Sequence, residues 1–325
     1  MTVLVCSAPG KLAVEGRPLP VCGPGDALVR PKRVGICGTD YHIYEGKHPF
    51  LEYPRVMGHE LAVELVSAPP GSDFEPGEIC TVNPYLSCGA CRTCKVGRPN
   101  CCERISVLGV HCDGGMAELL AVPLANLVKA DGLSPDQCAS VEFLAIGAHA
   151  VRRAAPRPGE RTLVVGAGPI GLGVALFARL AGCEVALADL DTARAERVAE
   201  IAGASASASP TREDFDHVFD ATGSQAAMQA SFELVAPGGT LTLVGVLKAS
   251  ISFSDPDFHR KEMRLLASRN ATTEDFDRVI AAIRTGEADI SRVITHRTRL
   301  HDAPDDIAQW AADKAGLIKA VVELD

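Results

Sequence analysis

Thr162-Leu163-Val164-Val165-Gly166-Ala167-Gly168-Pro169-Ile170-Gly171 is the stretch that decides the fold. A short apolar run leads straight into glycines spaced G-x-G-x-x-G, and a helical run follows over 170–181. That order predicts a strand, a tight turn and a helix. EVALAD then supplies a second strand closing on Asp189. Each part has a physical task. Gly166 permits the turn, Gly168 lets backbone approach a pyrophosphate, and Gly171 lets helix pack on strand. The helix N-terminus offers N–H groups and a positive dipole end to phosphates. Asp189 is placed to accept hydrogen bonds from ribose hydroxyls, which favours NAD and repels the extra phosphate of NADP. Asp191 and Arg194 follow, and an arginine there is able to meet that phosphate.

Working outward, HVFDAT and TLTLVGV read as further strands, so the chain from about 150 onward predicts βαβ units and a parallel sheet. Thr222 ends the first of these strands and joins Gly166, Gly168, Pro169, Ile170, Gly171 and Asp189 as an expected cofactor contact. ASASASP (204–210) reads as a weak strand or loop. Phe276, Val279, Ile280 and Ile283 at helical spacing predict a helix over Thr273 to Thr285, with Gly286 as its stop. Residues 1 to about 125 differ: short alternating runs (TVLVC, DALVRPKRVGI, LAVELVS) broken by Gly and Pro predict an antiparallel, partly barrel-shaped β domain. The tail, ISRVITHRTRL to IKAVVELD around a helix holding Trp310, is expected to rejoin it. The expected domains are therefore 1–148 catalytic, 149–284 nucleotide-binding and 285–325 returning to the first, with a cleft between the lobes.

A chain of 325 residues with 47% hydrophobic and 22% charged content fits two folded domains. Net charge of -9 argues against a nucleic-acid partner. MTVLVCSAPG lacks the basic start and apolar core of a signal peptide. The uncharged run Thr162 to Ala178 is interrupted by four glycines and a proline, unlike a bilayer span. Twelve cysteines without a secretion signal point to a reducing compartment, the cytoplasm.

Two groups of residues suggest metal. Cys37-Gly38-Thr39-Asp40-Tyr41-His42, followed by Gly58-His59-Glu60, supplies sulfur, imidazole and carboxylate, the mixed set of a catalytic zinc that keeps one position open. Thr39 and His42 lie close enough to the sulfur in sequence to carry a proton away. Cys88, Cys91, Cys94 and Cys102 have the spacing C-x2-C-x2-C-x7-C, able to wrap a tetrahedral ion in a closed, structural site. Cys101 is adjacent, so spacing leaves open which cysteine closes it. A nucleic-acid-binding zinc ribbon would need two separated C-x-x-C knuckles and basic surroundings, and has neither here.

In this order of parts the chain resembles the zinc-dependent medium-chain alcohol dehydrogenases over nearly its full length. VGICGTD-x-H, YPRVMGHE, VLGVHCDGGMAE and RKEMRLLASRN resemble the polyol and sugar-acid branch, with sorbitol, threonine, idonate and L-galactonate dehydrogenases. The resemblance implies a GroES-like catalytic β domain, a doubly wound Rossmann domain, NAD, two zinc ions per chain and a homodimer or homotetramer. It implies Cys37 and His59 as ligands of the catalytic zinc, with Glu60 binding directly or exchanging with water. Glu142 matches a carboxylate placed near that metal. Where the family has glycines shortly after Gly-His-Glu, this chain has Val63 and Pro69-Pro70.

The expected reaction is hydride transfer from a secondary alcohol to NAD. Thr39 receives the proton and hands it toward His42, while Asp40 orients His59. His111 and Arg269, with Asn270, are candidate substrate contacts, and His48 and Phe50 are candidates for the entrance. An amino-alcohol or simple alcohol dehydrogenase of the same fold, or a non-catalytic zinc- and NAD-binding sensor, are the alternative readings. No membrane or nucleic-acid partner is expected.

Overall fold

A computed structural model describes residues 1–47 and 52–324, so the expectation for His48 and Phe50 lies outside the described residues. The chain divides into two compact units. The first comprises Met1–Glu142, Thr272–Arg284 and Ile290–Asp325, and the second Phe143–Ala271 and Thr285–Asp289. These bounds differ from limits at 148 and 284. The helix Val141–Ala154 is divided after Glu142, whose side chain belongs to the first unit's interior, and the helix Thr273–Arg284 groups with the first unit.

In the second unit six parallel strands lie side by side in the order Ser205–Ala206, Glu184–Ala188, Arg161–Val165, Phe215–Asp220, Val235–Leu243 and Arg264–Ala267. Numbered along the chain, that is 3-2-1-4-5-6, the doubly wound order of dinucleotide-binding folds. Helix Pro169–Leu180 follows the strand Arg161–Val165 with Gly168 as N-cap and proline in its first turn, where its missing N–H costs nothing. Gly166 has φ +102°, and a Cβ on Gly171 would lie 1.8 Å from the Gly166 carbonyl oxygen. Neither position accepts a side chain. Helix Val141–Ala154 also approaches Pro169–Leu180 closely, since a Cβ on Gly147 would lie 2.3 Å from the Gly173 carbonyl carbon. Leu163, Val218, Phe232 and Leu241 form the core on one face of this sheet.

The first unit is built on a seven-stranded sheet. Its path runs Leu127–Lys129, Ile79–Val82, Glu60–Ser67, Asp26–Ile36, Lys319–Glu323 and Ile294–Arg299, with Leu120–Pro123 also paired to Asp26–Ile36. From the tail, Lys319–Glu323 runs antiparallel to Asp26–Ile36, pairing Val321 with Gly35. On the other side of the same strand Gly35 pairs with Glu60. Two segments remote in sequence thus flank one central strand. Val63, where the family has more glycine, is fully buried and pairs with Cys80. Val3, Leu4, Val34, Leu61, Met116, Trp310 and Val322 lie in the buried core.

Candidate active site and metal centres

Cys37 follows the strand Asp26–Ile36 and is the N-cap of the helix Gly38–Tyr44. Asp40, in the first turn, accepts a hydrogen bond from the Cys37 N–H at 2.9 Å, which closes the turn and fixes the sulfur's starting point. His59 and Glu60 come from the start of the strand Glu60–Ser67. One donor atom from each of Cys37, His59 and Glu60 lies within 4.8 Å of the others. Asp40, Glu60, His59 and Glu142 are all buried, yet Asp40 Oδ1, His59 Nδ1 and Glu142 Oε2 have no hydrogen-bond partner among the described residues. Burying so many polar atoms unsatisfied is costly unless something compensates. Sulfur, ring nitrogen and carboxylate oxygen in this concentration fit a bound divalent zinc.

Asp40 Oδ1 approaches His59 Nδ1 to 3.9 Å, a close electrostatic contact but longer than a hydrogen bond. Burial favours the neutral imidazole, but Asp40, then Cys37 and Glu142, outweigh it and hold the His59 pKa well above its ordinary value. Burial likewise pushes Glu142 up to about 7, with His59 opposing and Glu60 reinforcing the shift.

Two partners of this cluster were not anticipated. The fully buried Lys319 ammonium forms an ion pair with Glu60. Gly35 makes room for it, because a Cβ there would lie 2.1 Å from Glu60 Oε2. The second is Tyr85, whose hydroxyl donates to Glu142 Oε1. A lysine inside the apolar run Leu317 to Leu324 was a legible signal for the first. Nothing in the run Asn83 to Cys88 marked the second.

Thr39 Oγ1 lies 3.7 Å from the Cys37 sulfur, within a weak sulfur–hydroxyl contact. His42 is exposed on the same helix, three residues on, where side chains share a face. His111 is exposed and its Nδ1 accepts from the Val107 N–H at 3.1 Å. Arg269 is exposed in the second unit, beside Asn270 at φ +54°.

The sulfurs of Cys88, Cys91, Cys94 and Cys102 also gather within 4.8 Å of one another. Cys102 is buried and belongs to the group, while Cys101 is exposed. The loop presents backbone donors to the sulfurs: Cys88 N and Arg104 N each point at Cys102 Sγ at 3.3 Å, and Cys91 N at Cys88 Sγ at 3.4 Å. The Thr93 hydroxyl and neighbouring N–H groups pull the Cys91 thiol down to about 5. N–H groups of Ala90 and Cys91 lower Cys88 to about 7. Thiolates, the form that binds metal, are thus favoured at Cys91 and Cys88, while burial and the neighbouring sulfurs push Cys94 up to about 12. All twelve cysteines are free.

At the glycine turn, a Cβ on Gly168 would meet nothing within 4 Å, so the space over that backbone is open. Asp189 accepts from Ala167 N at 2.7 Å and from Asp191 N at 2.9 Å, tying the second strand's end to the turn. Asp191 caps the helix Thr192–Ala202 and draws Arg194 to itself, with Arg194 N at 3.0 Å from Oδ1 and Nε at 3.7 Å from Oδ2. Asp220 anchors Thr222 through both its N–H, at 2.9 Å, and its hydroxyl, at 2.7 Å. Thr222 is thereby brought beside Gly166, its methyl 3.1 Å from where a Gly166 Cβ would stand. No helix among the described residues is long and apolar enough to cross a membrane.

Residues 23–132 match the alcohol dehydrogenase GroES-like domain, and residues 169–285 match the zinc-binding dehydrogenase domain. The chain is 44% identical to the L-galactonate-5-dehydrogenase of Escherichia coli K12, over 99% of this chain and 98% of that one. A zinc-binding dehydrogenase of Sinorhizobium meliloti, solved with NADP, superposes with a TM-score of 0.92 at 31% identity, covering 99% of both chains. The alcohol dehydrogenase rspB of Escherichia coli CFT073, solved with NADH, gives 0.92 at 28% identity, covering 100% of this chain and 99% of that one. With its paired cysteine, histidine and glutamate donors, four-cysteine lobe and glycine turn, this chain belongs to the zinc-type alcohol dehydrogenase family and is an oxidoreductase.

Proposed function

We propose that this enzyme oxidises a secondary hydroxyl of a polyol or sugar acid, using NAD, a catalytic zinc held by Cys37, His59 and Glu60, and a structural zinc held by Cys88, Cys91, Cys94 and Cys102. The carrying observation is the convergence of Cys37, His59 and Glu60 donor atoms, with buried Asp40 Oδ1, His59 Nδ1 and Glu142 Oε2 left unsatisfied among the described residues. A sensor has no need of such a set, nor of a threonine and an exposed histidine leading away from it. The sugar-acid substrate is favoured by the likeness to L-galactonate-5-dehydrogenase.

Zinc at this position supplies Lewis acidity that lowers the pKa of a hydroxyl brought to it, and the nicotinamide accepts the hydride. The chain's own residues do the rest. With His59 Nδ1 turned toward Asp40, Nε2 is the ring nitrogen left for the metal. Thr39 takes the hydroxyl proton and His42, whose imidazole can both accept and give up a proton, releases it to solvent. Gly168 and the N-terminus of the helix Pro169–Leu180 receive the pyrophosphate, beside Gly166, Ile170, Gly171 and Thr222. Asp189 faces the ribose, and Asp191 keeps Arg194 from serving an extra phosphate. The first unit is the catalytic domain and the second the nucleotide domain. His111 and Arg269 serve the substrate, Arg269 by pairing with a carboxylate. The protein acts in the cytoplasm as a homodimer or homotetramer.

The test is cofactor reduction by zinc-loaded protein against aldonates, neutral polyols, amino alcohols and simple alcohols, with NAD and NADP in parallel. Aldonate oxidation with NAD supports the reading. Turnover confined to amino or simple alcohols, or to NADP, overturns it. Bound zinc and NAD with no turnover across the panel would favour the sensor.

A further inference from the structure

Two buried carboxylates share the active site, and the structure treats them differently. Glu60 meets an ammonium, so Lys319 offsets its charge across Gly35. Glu142 meets a phenol, which directs one oxygen and leaves the charge in place. A carboxylate has two oxygens and about four acceptor positions. Tyr85 engages Oε1, while Oε2 is buried and without a partner among the described residues. Glu142 also lies within electrostatic reach of His59, Glu60 and Lys319.

We propose that Tyr85 is a positioning residue, which fixes Glu142 so that its second oxygen, Oε2, accepts an O–H of the water that holds the place of the substrate hydroxyl. The proposal rests on the dehydrogenase reading above.

Tyr85 is itself well anchored. It is 7% exposed and sits in the two-stranded pair Tyr85–Leu86 with Ser106–Val107. Its N–H donates to Asn83 Oδ1 at 3.1 Å, and Asn126 Nδ2 donates to the carbonyls of Asn83, at 2.8 Å, and Tyr85, at 3.4 Å. A bracket of two asparagines therefore sets the phenol, and the phenol sets the glutamate. A phenol directs one Glu142 oxygen without adding a charge to a site that already buries Asp40, Glu60, Glu142 and Lys319.

The experiment compares wild type, Tyr85→Phe, Glu142→Gln and the double variant, each loaded with zinc for kinetics and with cobalt(II) for its visible spectrum. Phenylalanine keeps the ring and removes the donor. The proposal expects Tyr85→Phe to retain metal and NAD binding, to shift the substrate-free cobalt bands, and to lower kcat about 10- to 100-fold, the usual effect of losing a group that orients a metal-site residue. The double variant should be no worse than Glu142→Gln alone, because Tyr85 acts through Glu142. Wild-type kcat with unmoved cobalt bands in Tyr85→Phe, or additive losses in the double variant, would overturn it. A kcat loss with unmoved substrate-free bands would overturn it too, because Tyr85 would then act elsewhere than on the water. If Tyr85→Phe fails to fold, Glu142→Gln decides, since unmoved bands there remove Glu142 from the site. The cobalt spectra need no substrate, so failure of the proposed activity stays distinguishable from failure of this inference.

Discussion

The four-cysteine lobe and the Cys37 site are both clusters of metal donors, but they are assembled in opposite ways. In the lobe, Cys88 to Cys102 are neighbours in sequence, and the loop's own N–H groups point at the sulfurs. The Cys37 site draws on Cys37, His59, Glu60, Tyr85, Glu142 and Lys319, from segments spread over most of the chain. Asp40 Oδ1, His59 Nδ1 and Glu142 Oε2 are left buried without a partner among the described residues, whereas Cys88 and Cys102 sulfurs accept from backbone N–H groups. A locally closed cluster suits holding a loop; a cluster with unsatisfied buried groups keeps capacity for a ligand.

Substitution at the donors is the strongest way to break this contrast. Cys37→Ser is expected to lower turnover more than about 100-fold, the scale of losing a main electrostatic stabiliser, while NAD binding by fluorescence titration is unchanged. Retained activity would take Cys37 out of the metal site. Next comes Lys319→Met, which leaves Glu60 buried with its charge unpaired. Loss of one partner of a buried pair costs about 3–5 kcal/mol, so the melting temperature of metal-free protein should drop steeply. Addition of Glu60→Gln to Lys319→Met should recover much of that loss; if it recovers none, the pair is not the cause.

Cys94→Ser sharpens the contrast from the other side. It should reduce bound zinc by one ion per chain, measured by atomic emission, and lower thermal stability, with far less effect on kcat per folded molecule than Cys37→Ser. Equal kinetic damage from both would erase the distinction between the clusters. The smallest effect belongs to His42→Ala, expected to slow turnover several-fold near pH 6 and little near pH 9, where solvent hydroxide replaces the relay. A pH–rate profile parallel to wild type would exclude His42 from proton release.

Much of the architecture was legible because its signals are local. The helix expected from Phe276, Val279, Ile280 and Ile283 is Thr273–Arg284, with all four residues buried and Gly286 at φ +78° beyond it. Trp310 lies on the tail helix Ala303–Ala312, and ASASASP yields the short edge strand Ser205–Ala206. The dividing line of the compact units was harder to see, since a continuous helix such as Val141–Ala154 carries no local break where the contacts change.

Sequence by itself determined what depends on neighbours along the chain: the strand–turn–helix at Gly166 to Gly171, the cysteine spacing, and the donor types at Cys37, His59 and Glu60. Tertiary structure decided what depends on strand order and register. Gly35 pairs with Glu60 on one side and with Val321 on the other, and that register carries Lys319 to Glu60. Tyr85 meets Glu142 because a short hairpin and a helix start converge inside the first unit. Packing likewise brings the Cys102 sulfur, and not that of the exposed Cys101, among those of Cys88, Cys91 and Cys94. A spacing rule describes separations along the chain, whereas ion pairs and hydrogen bonds depend on separations in space, and only packing converts one into the other.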